Sequence, residues 1–342
     1  MKKIVTIILS VILSVSALIS PVSASNDYED NGDFRYLYND DKSGYGWVLY
    51  KAQSPKEEIN LTFPEEYKGS KLYHIGITDN YENLNDVGVV NINNLYIPKT
   101  VEEVWFECVS HPEYDGTVIR LTNIRNIVVD KDNPYLCSKD GVLYSKDMKT
   151  LCLYPNRNSM TIYKMPNSIK NYNINVPFMQ RNNLKKLYLS NNLKEIGYYF
   201  AAKCKKLEYV SIGKKTKEIG EYAFYENKKL KTIKIKSKKL KNINSAAFGY
   251  CKSLKKITLP PSVKKIDEFA FGGCKNLSKV YVNNKKKSPK IVYNAFENTK
   301  KGIKFYVKNK KVAKSLKKQL KGSGVRNAKI LIGKKVVYKN VK

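Results

Sequence analysis

Histidine and tryptophan are almost missing from this sequence, with two of each in 342 residues. His74 sits in a strand-like Leu72-Tyr73-His74-Ile75 run and His111 precedes Pro112 in a turn. Neither has a partner at metal-ligand spacing. The motifs G-x-S-x-G, Walker A, H-E-x-x-H and C-x-x-C do not occur. These absences leave no recognisable catalytic, cofactor or metal site, and we expect a protein that is not an enzyme. The remote alternative is a hydrolase whose acid and base groups converge only in the fold, because a fold by itself excludes no chemistry. Beyond the first 24 residues no apolar run is long enough to span a bilayer.

Acidic residues are scarce in the second half. Residues 181–342 hold 45 Lys+Arg against 8 Asp+Glu, a net +37, whereas residues 1–180 hold 18 against 22, a net −4. A genome-wide bias toward lysine codons acts on both halves alike, so it does not explain the split. Acidic Asp27, Glu29, Asp30 and Asp33 cluster near the start. A basic field of this size attracts polyanions and speeds their encounter.

The N-terminus has its own signature. Lys2 and Lys3 precede an uncharged stretch from Ile4 to Ala24 that ends Val22-Ser23-Ala24. A positive start, a short apolar segment and a small-residue exit describe a secretory signal peptide, and Pro21 with Ser23 argues against a membrane anchor. We therefore expect export, no transmembrane anchor after cleavage, and a secreted or extracellular location.

A repeat organises the remainder. Leu184, Leu207, Leu230, Leu254 and Leu277 recur at intervals of 23, 23, 24 and 23 residues. Each opens an L-x-x-L-x-L pattern: Leu184-Leu187-Leu189, Leu207-Val210-Ile212, Leu230-Ile233-Ile235, Leu254-Ile257-Leu259 and Leu277-Val280-Val282. Aliphatics two apart share one face of a strand. A second block follows, Ile219…Ala223-Phe224, Ile243…Ala247-Phe248, Ile266…Ala270-Phe271 and Ile291…Ala295-Phe296, with Phe200-Ala201 reversed in the earliest copy. Three residues before the repeat leucine stand Cys204, Asn227, Cys251 and Cys274. The segment from Ala-Phe to Cys reads as a short helical turn with Phe and Cys inward. One copy buries about six apolar side chains, worth roughly 1.5–3 kcal/mol each. Ordering about 23 residues costs around 1.5 kcal/mol apiece, so a lone copy cannot fold and neighbours must stack.

These residues resemble the BspA-like leucine-rich repeats of bacterial surface proteins, and Leu254 to Cys274 is the copy most like the family pattern I-G-x-x-A-F-x-x-C-x-x-L-x-x-I-x-L-P. Asn133-Pro134-Tyr135 leading into Asp140-Gly141-Val142-Leu143-Tyr144 resembles a hairpin insert of that family. Ile59 to Gly76 and Leu95 to Val104 resemble degenerate copies. The resemblance spans roughly residues 34–307. It implies a leucine-rich-repeat solenoid of stacked ~23-residue repeats, with a parallel β-sheet on one face, short helical turns on the other, and caps at both ends. The expected layout is a signal peptide at 1–24; an acidic N-terminal segment, cap and degenerate first repeat at 25–94; repeats at 95–307 with the hairpin near 133–155; and a C-terminal helix-strand cap at 308–342. Tyr36, Tyr38, Trp47, Leu49 and Tyr50 suggest paired strands near the start. Val312, Ala313, Leu316 and Leu320 have helical spacing, and Gly322-Ser323-Gly324 stops that helix. Ala328 to Ile332 and Val336 to Tyr338 are strand-like. The asparagine that follows L-x-x-L-x-L in other leucine-rich repeats is missing, so no asparagine ladder is expected there.

Cys204, Cys251 and Cys274 share one repeated slot and read as a buried apolar column. Cys137 and Cys152 flank the hairpin, and a disulfide between them stays open. Asp130-Lys131-Asp132-Asn133 begins like a calcium loop but lacks its glycine and terminal glutamate, so turn chemistry is the reading.

If the second and third aliphatics of each copy point inward, the residues beside them point out. One outward column is Lys186, Tyr209, Thr232, Lys256 and Lys279; the other is Tyr188, Ser211, Lys234, Thr258 and Tyr281. Strands about 4.8 Å apart would merge them into one continuous ligand-binding patch. The bland account is that lysine keeps a solenoid soluble. The resemblance implies adhesion through an extracellular protein partner. Charge points instead to an anionic polymer such as teichoic acid, glycosaminoglycan or extracellular DNA, and to electrostatic retention on the bacterial cell wall. There is no specific nucleic-acid motif.

Overall fold

Aliphatic residues two apart ask for extended backbone with one buried face, and every copy supplies such a pair. The computed structural model describes residues 28–31, 34–38, 45–51, 58–78, 90–106, 108–110, 118–120, 122–173 and 177–341. Residues 1–24, where a signal peptide is expected, and Asp27, Asp33 and His111 lie outside them. The chain divides into two compact units, one of residues 1–56, 62–90 and 98–122, the other of residues 57–61, 91–97 and 123–342.

In the first unit, Tyr28–Asn31, Phe34–Tyr38 and Tyr45–Lys51 run antiparallel, and His74–Thr78 and Glu103–Phe106 extend the sheet in parallel. The expected strand pairing near the start is present, with Tyr36 opposite Val48 and Leu37 opposite Trp47. Tyr36 stacks on Tyr67 at 3.7 Å.

The second unit opens with Ile59–Thr62, Val90–Ile97 and Thr122–Val129 in one sheet. A short ladder of side-chain amides crosses it, Asn126 donating to Asn94 and Asn94 to Asn60. The predicted hairpin follows, Leu136–Lys139 against Val142–Ser145, turning at Asp140 and Gly141, both with positive φ as a tight two-residue turn requires. Asp130 accepts from the Asp132 amide, and buried Asn133 accepts from the amides of Tyr135 and Leu136, which makes that segment a turn. Cys137 and Cys152 are not joined in a disulfide. The Cys137 thiol donates to the Ser145 carbonyl, whereas Cys152 is the extra residue of a bulge and its sulfur faces the Thr150 carbonyl and the Asn173 amide.

From residue 162 onward each coil lays down one strand of the L-x-x-L-x-L segment and a second strand that sequence periodicity did not reveal. The second set, Glu195–Ile196, Glu218–Ile219, Asn242–Ile243, Lys265–Ile266 and Lys290–Ile291, forms a continuous parallel sheet two residues deep. Coils approach so closely that a Cβ on Gly213 would run into the Ser190 carbonyl. The short helical turns take the form of consecutive tight turns. Ala223, Ala247, Ala270 and Ala295 donate to the carbonyl three residues back, and left-handed residues recur in every coil. Backbone bonds also link turn to turn, as from Phe224 to Ala247, Phe248 to Ala270 and Phe271 to Ala295.

Inside, Phe224, Phe248, Phe271 and Phe296 stack at 5.3–5.5 Å with interplanar angles of 3–13°. The reversed Phe200-Ala201 copy breaks the stack into an edge contact at 6.4 Å. Cys204, Cys251 and Cys274 are buried, their thiols donating to the carbonyls of Phe178, Phe224 and Phe248. Burial pushes the Cys274 thiol up to about 12 and Cys251 well above its ordinary 9.0. Unfolded thiols ionise near pH 9 while these stay protonated, so their contribution to stability is complete below pH 9 and falls as pH rises toward 12. All three should resist iodoacetamide until the protein unfolds, as mass spectrometry of native and denatured samples would show.

Asn227 fills the cysteine slot of its coil with three hydrogen bonds. It accepts from the Cys204 amide and donates to the carbonyls of Ala201 and Phe224. Asn227→Ala removes all three bonds from buried groups and should cost about 1–3 kcal/mol. Asn227→Cys, which restores one of the donations, should cost less; equal losses in a denaturant melt would contradict this assignment.

After the last repeat, Lys304–Val307 pairs in parallel with Ala328–Ile332, and Lys335–Val341 then returns antiparallel. Between them the helix Lys310–Gln319 starts at Asn309, whose side chain accepts from the Val312 amide, and buries Val312, Ala313 and Leu316. No helix among the described residues is long and apolar enough to cross a membrane.

Candidate binding face

The register of the first sheet decides which side chains stand together. Ile162, Lys186, Tyr209 and Thr232 are successive partners in one column, and Lys164, Tyr188, Ser211 and Lys234 in the next. Beyond them, Lys256, Lys279, Lys304 and Lys329 form one column and Thr258, Tyr281, Tyr306 and Leu331 the other. Lys186, Thr232, Lys234, Lys256, Thr258 and Lys279 are exposed; Tyr188, Tyr209 and Tyr281 are half-buried. The tyrosines pair across coils, Tyr188 with Tyr209 at 5.2 Å and Tyr281 with Tyr306, stacked, at 4.7 Å. Lys164, Lys304, Tyr306 and Lys329 extend the face beyond the five aligned copies, on strands whose leading leucine has degenerated. Lys185, Lys231 and Lys255, each beside the repeat leucine, flank it and are exposed. Glu208, in the same flanking position, pairs with Lys231 at 3.0 Å, which holds its carboxyl below the usual value.

Two expectations need correction. Ser211 is not part of the exposed face: it is fully buried, and its hydroxyl has no hydrogen-bond partner. The small side chain sits between Tyr188 and Lys234 in register, and these larger neighbours cover it. Ser211→Ala should therefore raise stability by about 1 kcal/mol without weakening any ligand, since a buried hydroxyl without a partner costs about that. A lower melting temperature would refute this. The ladder is also not continuous: Thr232–Ile235 ends one sheet and Lys256–Leu259 starts another. The interruption falls at the 24-residue copy, whose extra residue lies between Ile235 and Ile243. The second sheet crosses the same point intact, with Ile243 paired to Ile266.

No group of three His, Cys, Asp or Glu among the described residues could hold a metal ion. His74 lies on a strand of the first unit, its Nδ1 3.8 Å from Glu103.

Residues 167–304 match the family model of the BspA type leucine rich repeat region, in six copies. That region is a BspA-type leucine-rich-repeat array. The match begins after the hairpin, so the degenerate copies at 59–76 and 95–104 lie outside it. A leucine-rich repeat protein from Eubacterium ventriosum has a similar solved structure, 15% identical, with 80% of this chain and 94% of that chain covered and a TM-score of 0.50. The pneumococcal vaccine antigen PcpA is 16% identical, with 92% and 100% covered and a TM-score of 0.45. At 15% identity the first likeness shows the fold alone. A search of the curated proteins finds no match. For the BspA-like repeats, as for repeat arrays in general, the fold suggests protein–protein binding or a role at a surface, with ligands met on an extended face.

Proposed function

We propose that this protein is a secreted or cell-surface binding protein that adheres to an extracellular protein partner through the face of its first sheet. One observation carries the reading. Strand register gathers Lys186, Lys234, Lys256, Lys279 and Lys304 with Tyr188, Tyr209, Tyr281 and Tyr306 on one side of the coils. Tyrosines supply rigid contact area, and lysines select an acidic surface and speed its approach. The net +37 of residues 181–342 favours a second reading, an anionic polymer such as teichoic acid, glycosaminoglycan or extracellular DNA, which would also hold the protein on an anionic wall.

An array of acidic extracellular matrix proteins, heparin and wall teichoic acid, probed at low and physiological salt, tests both. Retention of a matrix protein that survives physiological salt is the expected result. Retention confined to the polymers and lost steeply with salt, as counterion release dictates, would replace the first reading with the second. Retention of none would refute both.

A further inference from the structure

The turn edge of the coils has a chemistry of its own. Tyr198, Tyr250, Phe269 and Tyr293 lie there and are 55%, 47%, 39% and 65% exposed. Ring contacts run from Tyr198 to Tyr199 at 4.4 Å, to Tyr222 at 4.9 Å, to Tyr225 at 5.3 Å and to Tyr250 at 5.5 Å. Phe269 takes the slot in its coil that Tyr222 takes two coils earlier, just before the buried alanine.

Stability does not explain these rings. Tyr199, Tyr222, Tyr250 and Phe269 have φ of 45°, 54°, 57° and 51°. That left-handed region suits glycine and asparagine and strains bulky side chains. The same two slots hold Asn294, Asn298, Gly273, Ala246, Lys203 and Glu226 in other coils, so the turn imposes this backbone whatever the residue. Aromatic residues therefore sit where cheaper residues are known to fit, and several stay in solvent, so burial does not offset the strain. The neighbouring coil makes room for one of them: a Cβ on Gly273 would meet the Tyr250 ring at 2.7 Å.

Charge narrows the ligand. Five of the eight acidic residues in 181–342, namely Glu221, Glu226, Asp267, Glu268 and Glu297, fall on these turn segments. Glu221, Glu268 and Glu297 make no ion pair among the described residues. Beside Tyr198 opens a groove of about 880 Å³ lined by Asn171, Tyr172 and Asn192, with Lys170, Lys194 and Lys215 around Glu195, so the carboxylates that set the charge of this edge are those of the turns. Carboxylates amid the rings repel a polyanion. They also disfavour an apolar protein interface, whose core is depleted of charge.

We propose that this edge binds a neutral, extended polysaccharide, stacking sugar faces on the exposed rings and taking hydroxyl hydrogen bonds on the carboxylates and amides. Carboxylates accept from hydroxyls strongly, and an aromatic face attracts the polarised C–H bonds of a pyranose. This edge is separate from the lysine face and does not depend on the function proposed for it.

The test is a panel of cellulose, mannan, galactan and chitin oligosaccharides of increasing length, probed with the full exported protein at roughly 0.5 M salt, where exposed charge attraction is screened. Binding to at least one neutral series, tightening with length and weakened at least tenfold by Tyr198→Ala with Tyr250→Asn and Tyr293→Ala, is the expected result. Lys186→Glu with Lys256→Glu should leave it unchanged. Tyr250→Asn and Phe269→Asn should hold or raise the melting temperature. Binding to none of the neutral glycans, binding indifferent to loss of the rings, or a lower melting temperature in both asparagine variants would overturn the proposal.

Discussion

Phe248→Ala should destabilise the repeat region by about 3–5 kcal/mol. Phe248 is fully buried and stacks on Phe224 at 5.4 Å and on Phe271 at 5.5 Å. Its loss leaves a cavity with rings on both sides, and the ladder bonds from Phe248 to Ala270 and from Phe224 to Ala247 prevent the coils from closing it. In a solenoid each coil depends only on its neighbours, so damage at a central coil weakens two interfaces. A thermal melt should show the midpoint falling by roughly 6–20 °C, given about 2–4 °C per kcal/mol for a region of this size. A shift smaller than that of the exposed Tyr293→Ala would mean that the phenylalanine column does not hold the stack.

The second large effect concerns charge. The triple change Lys186→Glu, Lys234→Glu and Lys256→Glu should lower heparin affinity and reduce the slope of log K against log salt by about 2–3, near one unit per lost contact. The side chains are exposed, so stability should change by no more than about 0.5 kcal/mol per site. Lys205→Glu with Lys252→Glu and Lys275→Glu is the control. It makes the same change in net charge on exposed lysines that follow the turn segments. Surface plasmon resonance at several salt concentrations separates the cases. Equal losses from both triples would mean that total charge, rather than the arrangement on the sheet, attracts the polymer.

Much of this architecture was legible because its signals are periodic. The spacing of Leu207, Leu230 and Leu254 fixed the coil length, and the alternation in Ile257-Thr258-Leu259 fixed which way the side chains face. The buried Phe and Cys columns followed from repetition of one slot. The helix was read as Val312 to Leu320 and is Lys310–Gln319. The second sheet was not legible, because strands of two residues such as Glu218–Ile219 contain no alternation to detect. The turn segments carry Ala and Phe at a spacing that imitates a helix, while their left-handed residues declare themselves only through Asn294, Asn298 and Gly273. Burial of Ser211 depends on the size of residues 23 positions away on either side. The interruption beside Thr232–Ile235 coincides with the single 24-residue interval, but spacing alone does not decide where pairing stops, since the longer segment from Val282 to Ile291 leaves Lys279–Val282 paired with Lys304–Val307.

Lysine acetylation footprinting with bound heparin tests the central assignment most directly. The prediction is that Lys186, Lys234, Lys256, Lys279 and Lys304 lose reactivity together, while Lys205, Lys252 and Lys275 keep theirs. Protection spread evenly over all eight, or concentrated on the last three, would contradict the claim that stacked strands assemble a basic docking face.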